Sequence, residues 1–250
     1  MSTYIIAELG INFNGSVELA KALIDKAASA GCDAVKFQKR TVDKVYTKEF
    51  LNSPRQSPFG TTQREQKNGI EFGEKEYDEI NEYCRGKIDW YASAWDCDSQ
   101  EFLKKYNLKY NKIASAMVKN TELVDMIARE NKPTFISTGL GDWDLMHKLY
   151  SKFDSPVTFL HCVMKYPCPA ELCNLSMITR MKHDFDCTIG YSSHNPGIVD
   201  KAIAVVLGAE ALEAHITLDR SSYGTDQSAS LEEKGLHDVV RNARLVKEMM

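Results

Sequence analysis

The chain of 250 residues is long enough for two small domains or for one (β/α)8 barrel, and it can bury a large core. Its hydrophobic fraction of 43% and charged fraction of 26% are those of an ordinary globular protein. A formal net charge of −4 with scattered basic residues excludes an extended binding surface for nucleic acid or for an anionic membrane.

The cysteines and the N-terminus predict a cytoplasmic protein. The seven cysteines are an odd number without the C-x-x-C spacing of zinc knuckles, so we expect reduced and mostly buried thiols. Residues 1–8 lack the pattern of a signal peptide and run almost at once into a predicted strand. The longest apolar run, Ala202–Leu207, is too short to span a bilayer, so no membrane partner is expected.

Short apolar segments alternate with amphipathic helical stretches along the whole chain. The first helix is expected to begin after Ser16, as its N-cap, and to end at Gly31. The predicted strands are 4–8, 33–38, 88–93, 109–114, 133–137, 157–161, 186–191 and 211–215. Eight strands and eight helices predict an α/β fold, a single (β/α)8 TIM barrel over residues 1–250.

One connection departs from this alternation. Residues 39–73 carry prolines, glycines and aromatic residues without a clear periodicity. A loop of such length inside a compact domain is usually functional. Because it follows the second strand, on the catalytic face of the predicted barrel, we expect it to cover the substrate.

Charged side chains fall where the interior of a barrel is normally apolar. Alternation along the strands points Glu8, Lys36, Gln38 and Glu213 inward, and Lys112 lies near the end of the fourth strand. Lysine and glutamate are seldom buried unless they are paired. A structural network of ion pairs is one explanation. We favour an active site, because these residues converge from different strands near the upper rim.

Two further sets of residues lie at strand ends. The lysines together with Ser115, Ser137 and Ser192 suit a small dianion such as a phosphate ester. His194 and His215 follow the seventh and eighth strands, which are adjacent in a barrel. Such a pair could hold a divalent metal and leave positions open for substrate or water, although two histidines alone are a weak signal.

Seven short motifs follow one another along the chain: AELGINFNG at 7–15, VKFQ at 35–38, KIAS at 112–115, ISTG at 136–139, YP at 166–167, GYSSH at 190–194 and EAHITLD at 213–219. Together they resemble the sialic acid synthase family over nearly the whole chain. The resemblance implies an enzyme that condenses phosphoenolpyruvate with an acylamino sugar aldehyde, commonly N-acetylmannosamine. The products would be a nine-carbon 2-keto acid and phosphate, and a divalent metal, Mn2+ or Mg2+, would be the cofactor.

The resemblance also implies a role for individual residues. Glu8 would orient or deprotonate the attacking water, or stabilise the cation formed at C2 of phosphoenolpyruvate. Asp226 would lie near the metal and the sugar. Gln38 and Tyr166 would complete the cavity. Phosphoenolpyruvate would be bound by Lys36, Lys112, Ser115, Ser137 and Ser192, and the metal by His194 and His215.

The chain departs from the family pattern on the sugar side. Met117 replaces a glutamate that grips sugar hydroxyls, and Met164 replaces a frequent asparagine. Gln227 and Phe13 stand where the family has histidines. The chain ends at Met250 without the small C-terminal antifreeze-like domain of most members, which reaches a partner subunit. We therefore expect a retained phosphoenolpyruvate site, a changed acceptor site, and N-acetylmannosamine to be a poor substrate.

Two alternatives stay open at this point. One is a deoxyheptulosonate or deoxyoctulosonate type of synthase that acts on a phosphorylated aldose, although the sequence shows no obvious basic site for the acceptor phosphate. The other is a catalytically reduced homologue that binds ligand without turnover. The resemblance is also compatible with a homodimer.

Overall fold

A computed structural model describes residues 2–249 of the chain. The strands are β1 (Tyr4–Gly10), β2 (Ala34–Lys39), β3 (Pro54–Ser57), β4 (Gly60–Thr62), β5 (Asp89–Ala94), β6 (Asn111–Ile113), β7 (Thr134–Ser137), β8 (Val157–Cys162), β9 (Thr188–Ser193) and β10 (Ala211–His215). All except β3 and β4 pair in parallel in the order β5-β2-β1-β10-β9-β8-β7-β6, and they form a nearly closed barrel. The predicted TIM barrel is confirmed, and each predicted strand ends within two residues of the observed one.

Helices surround the barrel, and three short helices lie in the connection that follows β2. They are α1 (Val17–Ala30), α2 (Val42–Val45), α3 (Lys48–Asn52), α4 (Gln63–Ile70), α5 (Glu74–Cys84), α6 (Cys97–Lys104), α7 (Thr121–Arg129), α8 (Trp143–Tyr150), α9 (Ser176–Asp184), α10 (Val199–Val206) and α11 (Glu233–Met249). The outer layer consists of α1 and α5 to α11, one helix after each barrel strand. Within residues 2–249, no helix has both the length and the apolar character required to cross a bilayer.

The first helix shows how local sequence sets these boundaries. The Ser16 hydroxyl accepts a hydrogen bond from the Leu19 N–H, which satisfies one of the free donors at the start of α1. Gly31 ends the helix with φ of 84°, a left-handed conformation that glycine adopts without steric cost. Both predicted boundaries of α1 are therefore confirmed.

Strand register brings the polar residues to one level inside the barrel. Glu8 of β1 is paired with Lys36 on β2 and with His215 on β10. Ser192 on β9 is paired with Glu213 of β10. These residues approach the carboxyl ends of the strands, where TIM-barrel enzymes place their active sites.

The sequence suggested that the segment 39–73 is a loop without secondary structure, and this prediction is wrong. It contains α2, α3 and α4 and the antiparallel hairpin of β3 and β4. Its contacts place it beside the loops that follow β1 and β10: a Cβ atom at Gly15 would overlap the Gly69 carbonyl oxygen, and Arg55 Nε lies 3.5 Å from Tyr223 Oη. The segment therefore lies at the carboxyl-end face, and its role as a cover stays a prediction.

The seven cysteines are free thiols in the structure, and five of them are buried, as small apolar side chains often are. The sulfur atoms of Cys168 and Cys173 lie 4.0 Å apart.

Candidate active site

Four ionisable side chains from the barrel interior form one compact group, which we call the inner ion cluster: Glu8, Lys36, Lys112 and Glu213. Lys36 Nζ lies 3.2 Å from Glu8 Oε2 and 3.2 Å from Glu213 Oε1, so it bridges the two carboxylates. Lys112 Nζ lies 3.8 Å from the same Glu213 oxygen. All four side chains are at least 94% buried, so two cations and two anions balance one another out of contact with water.

Serine hydroxyls from the strand ends surround this cluster. Lys112 Nζ donates to Ser137 Oγ at 2.6 Å, and Ser192 Oγ donates to Glu213 Oε1 at 3.0 Å. Ser115 Oγ accepts from the Gly139 N–H at 3.0 Å, so its own hydroxyl proton stays available to a ligand. The lysines and serines thus present donors of the kind that bind a phosphate or a carboxylate.

The pKa values of the two carboxylates shift in opposite directions. Burial raises the pKa of Glu8, and this effect exceeds the lowering that Lys36 and His215 cause. For Glu213, burial acts in the same direction, but Lys112 and Lys36 outweigh it and lower the pKa to about 2. Glu213 is therefore a permanent anion, whereas Glu8 is the carboxylate that more readily accepts a proton.

The two lysines also differ. Burial alone would lower the pKa of Lys36, but Glu213 and Glu8 hold it above the ordinary value. Burial, with a smaller contribution from Lys36, lowers the pKa of Lys112 to about 8, although Glu213 opposes this shift. Lys112 is thus the cation whose charge is least compensated, and an incoming anion would stabilise it.

The predicted histidine pair lies beside the cluster. The ring centroids of His194 and His215 are 5.5 Å apart, and the Tyr166 ring stacks on His194 at 3.8 Å. His194 Nδ1 lies 2.7 Å from the Val163 carbonyl oxygen, so Nδ1 donates and the Nε2 lone pair is free. Burial and the neighbouring His215 lower the pKa of His194 to about 3, which keeps this imidazole neutral at physiological pH.

These features fit a metal held by two imidazoles. A neutral ring whose other nitrogen donates to a backbone carbonyl is the usual state of a metal-ligating histidine. His215 Nδ1 makes no hydrogen bond to any residue from 2 to 249, and the nearest carboxylate oxygen is Asp226 Oδ2 at 3.8 Å. No group of three or more His, Cys, Asp or Glu side chains is arranged to hold a metal in the described part of the chain. Substrate or water would therefore have to supply the remaining ligands.

Most of the predicted site residues lie in one cavity. Its lining includes Glu8, Lys36, Gln38, Lys112, Ser115, Ser137, Met164, Tyr166, Ser192, His194 and His215. Gln38 Nε2 donates to Glu8 Oε1 at 2.8 Å. Asp226 lies outside the lining but beside His215, as given above. Met117 also lies outside it, because its side chain is half-buried against the hydrophobic core.

Sequence reasoning missed the central role of Glu213. Its inward direction was evident from the alternation in the last barrel strand, but nothing in the sequence indicated that both lysines and Ser192 would meet at one of its oxygens. Trp95 and Cys162 also line the cavity and were not predicted. Trp95 comes directly after β5 and Cys162 ends β8, so a systematic survey of strand ends would have found both.

Comparison with known proteins gives a consistent result. Residues 23–250 match the model of the NeuB family. The mouse N-acetylneuraminate-9-phosphate synthase is 36% identical over 99% of this chain and 71% of its own length. The N,N'-diacetyllegionaminic acid synthase of Legionella pneumophila is 31% identical over 98% of this chain and 72% of its own length.

A solved structure of a related synthetase has the same fold over the whole chain. A crystal structure of the N-acetylneuraminic acid synthetase from Leptospira borgpetersenii serovar Hardjo-bovis, in complex with citrate, superposes with a TM-score of 0.90. It is 30% identical and covers 100% of this chain and 85% of its own. The similarity therefore extends over the whole barrel, including every strand that carries a site residue.

Proposed function

Since the chain belongs to the NeuB family, we propose that it condenses phosphoenolpyruvate with an acylamino sugar aldehyde to form a nine-carbon 2-keto sugar acid and phosphate. The observation that supports this most strongly is the inner ion cluster. Two buried lysines and three serines converge at the upper rim of a barrel whose relatives are sialic acid and legionaminic acid synthases. Such donors match the phosphate and carboxylate groups of phosphoenolpyruvate.

Phosphoenolpyruvate would enter the cluster as a third partner for the lysines. Lys112 already donates to Ser137, and Ser115 has a free hydroxyl proton, so the ligand would meet directed donors without rearrangement of the strands. The charge that the ligand brings would offset the incomplete compensation of Lys112.

The proposed reaction forms one carbon–carbon bond and one carbon–oxygen bond to water, and it breaks the carbon–oxygen bond to the phosphate. C3 of phosphoenolpyruvate attacks the aldehyde carbon, whose oxygen takes up a proton to become a hydroxyl group, and C2 becomes an oxocarbenium ion. Water adds to C2, and phosphate then leaves with the bridging oxygen, which gives the 2-keto acid. The Glu213 carboxylate, whose ionised form the two lysines favour, would stabilise the cation, and Glu8 would accept the proton of the water.

His194 and His215 would hold the divalent metal, Mn2+ or Mg2+. When bound, the metal supplies Lewis-acid polarisation of the aldehyde oxygen. The protein would orient the first ligand through the Val163 carbonyl and through the Tyr166 ring stacked upon it. Asp226 would lie on the acceptor side of this pair, next to His215.

The test is the release of inorganic phosphate from phosphoenolpyruvate with Mn2+ across a panel of aldoses, with the mass of the organic product determined for each. We expect acceptor-dependent release and a product with three more carbons than the acceptor. Lys112→Met should abolish release, whereas Lys119→Met, an exposed lysine seven positions later, should not change it. The proposal fails if no acceptor stimulates release, or if Lys112→Met retains the wild-type rate.

A further inference from the structure

Trp95 contributes an unused hydrogen-bond donor to the active-site cavity. The residue comes directly after β5, and it lines the cavity together with Lys36 and Lys112. Its buried Nε1 makes no hydrogen bond to any residue in the described part of the chain. An indole N–H can only donate, and a buried donor without an acceptor is costly. The proposed reaction of phosphoenolpyruvate does not use this side chain, so its free donor requires another explanation.

The other two tryptophans of the chain have hydrogen-bond partners. Trp90 Nε1 donates to Asn81 Oδ1 at 3.1 Å, and Trp143 Nε1 donates to Asp184 Oδ2 at 2.9 Å. Neither of these tryptophans is part of the cavity lining. Among residues 2–249, the indole without a partner is therefore the one that lines the cavity.

The register of β5 gives the level of Trp95 in the barrel. Tyr91 is paired with Lys36, so these two residues mark one level of the interior. Trp95 lies four residues further along, and its backbone N–H still donates to the Lys39 carbonyl oxygen at 3.0 Å. At about 3.3 Å per residue, its backbone is about 13 Å along the strand beyond that level. Trp95 thus lies closer to the mouth of the cavity than the backbone of the lysine does.

The Trp95 ring is held in place by its neighbours. The guanidinium carbon of Arg40 lies 4.2 Å from the ring centroid, within the range of a cation–π contact. The next residue, Asp96, is the N-cap of α6, and its carboxylate accepts from the Ser99 N–H at 2.9 Å. The ring and its backbone are therefore fixed before a ligand binds, which lowers the entropic cost of a hydrogen bond from Nε1.

The substrate that fills the outer part of the cavity is the acceptor sugar. Phosphoenolpyruvate is accounted for by the inner ion cluster and the serines around it. Met164 and Tyr166 of the cavity lining are each 39% exposed, so they mark its open end. An acceptor that lies above phosphoenolpyruvate occupies the space between the lysines and this open end. The free N–H of Trp95 lines that same space.

We propose that Trp95 is a specificity-determining residue, whose Nε1 donates a hydrogen bond to an oxygen of the acceptor sugar. The inference rests on the proposed function and adds a recognition contact for its second substrate. A site that binds a sugar oxygen through a buried donor discriminates strongly against an acceptor that lacks this oxygen, because the donor is then left unpaired. The same contact is not made with phosphoenolpyruvate.

A ¹⁵N NMR titration of the indole groups tests this contact directly. The chain has three tryptophans and hence three indole N–H signals, and Trp95→Phe identifies one of them by its loss. The enzyme is first loaded with Mg2+ and phosphoenolpyruvate. N-acetylmannosaminitol, the reduced sugar, which has no aldehyde and cannot react, is then added up to about 10 mM, above the usual range of KM.

We expect the Trp95 signal to move downfield on addition of the reduced sugar and to stay in place on addition of phosphoenolpyruvate. The signals of Trp90 and Trp143 should not move with either ligand, because both groups already have acceptors. A Trp95 signal that moves with phosphoenolpyruvate and not with the reduced sugar overturns the assignment. A signal that moves with neither ligand also overturns it.

Kinetics distinguish a contact with the sugar from a structural role. Trp95→Phe keeps an aromatic ring beside Arg40 and removes the donor. With the aldose that gives the fastest phosphate release, kcat/KM should fall about tenfold, and the KM for phosphoenolpyruvate should not change. Trp143→Phe, which loses a hydrogen bond outside the cavity, is the matched control and should leave both values unchanged.

The outcomes separate this inference from the proposed function. An unchanged kcat/KM for the sugar in Trp95→Phe, or an equal rise of the KM for phosphoenolpyruvate, overturns the role of Trp95 while the condensation stands. If no aldose is turned over by the wild-type enzyme, the condensation fails. The NMR titration then decides on Trp95 alone, because it measures binding and requires no turnover.

Discussion

The inner ion cluster differs from a group of cations on the 39–73 segment, Arg40, Arg55 and Lys67, which we call the outer cation cluster, in how its charges are paired. The inner cluster has two lysines and two glutamates on barrel strands, and each lysine has a carboxylate oxygen within 3.8 Å. The outer cluster lies on an insertion after β2, and two of its three cations have no acidic partner among residues 2–249. In the first cluster each lysine lies near a carboxylate, whereas in the second only Arg40 has an acidic partner in the part of the chain that the structure describes.

This difference separates the two halves of the proposed reaction. A balanced, fully buried cluster on strands is rigid and preorganised, which suits the chemistry at C2 and C3 of phosphoenolpyruvate. An insertion suits recognition of one acceptor among many, because insertions vary without disturbing the barrel. Variants that act on only one cluster therefore test whether the halves are separate.

The largest effect is expected between the clusters, at the histidine pair. His194→Ala or His215→Ala should abolish metal-stimulated turnover, because these two imidazoles of the cavity are the proposed ligands of the metal. Circular dichroism should show an intact fold, and the exposed His237→Ala should behave as wild type. Normal Mn2+-activated rates in both site variants would remove the metal from this position.

The next largest effect concerns phosphoenolpyruvate. Removal of Lys36 or Lys112 takes away a cation that would pair with the bound ligand, and truncating one member of a buried charge pair across an interface costs about 2–5 kcal/mol. Calorimetry should therefore show phosphoenolpyruvate affinity reduced by more than about tenfold in Lys36→Met and in Lys112→Met. Lys67→Met should leave this affinity unchanged. A Lys112→Met enzyme with wild-type affinity would place the ligand elsewhere.

A smaller effect is expected from pH alone. Because burial lowers the pKa of Lys112 to about 8, this side chain loses its proton in the free enzyme as the pH rises through that value. The phosphate of the ligand is already fully charged there, since its second pKa is near about 6. Affinity for phosphoenolpyruvate should therefore fall above pH 8 by up to about tenfold per pH unit. The inflection should be absent in Lys112→Met, and an affinity that stays constant from pH 7 to 10 would contradict the assignment.

The smallest effect concerns Met164 at the acceptor side of the cavity. A thioether cannot donate a hydrogen bond to a sugar, so N-acetylmannosamine should be a poor substrate, with kcat/KM below about 10⁴ M⁻¹s⁻¹. Met164→Asn should raise that value about two- to tenfold, the contribution of one hydrogen bond. Met117→Gln should not, because Met117 packs against the core. Efficient turnover by the wild-type enzyme would show that Met164 does not limit the acceptor.

The sequence predicted the barrel and the inner cluster because both depend on local periodicity. Alternation in β1, β2 and β10 alone directs Glu8, Lys36 and Glu213 inward. The outer cluster was not predictable in this way. Its helices α2 and α3 have four and five residues, too few for an apolar period, and its contacts join distant positions such as Arg55 and Tyr223.

Met117 shows the limit of motif transfer. Its place two residues after Ser115 suggested a contact with the sugar, but the short 3-10 turn Ser115–Met117 directs the side chain toward the core. Glu213 shows the reverse case, in which an inward direction was predicted and its partners were not. The direction of a side chain on a strand follows from the alternating pattern of the sequence. Its contact partners depend on how the whole barrel closes.

The central claim is tested most directly with phosphoenolpyruvate labelled with ¹⁸O at the bridging oxygen between C2 and phosphorus. The labelled compound is incubated with the enzyme, Mn2+, N-acetylmannosamine and its 6-phosphate. The masses of the 2-keto acid and of the inorganic phosphate are then determined by mass spectrometry. We predict a nine-carbon 2-keto acid without label and inorganic phosphate that carries the ¹⁸O. Label retained in the keto acid, or the absence of any nine-carbon product, would contradict the account.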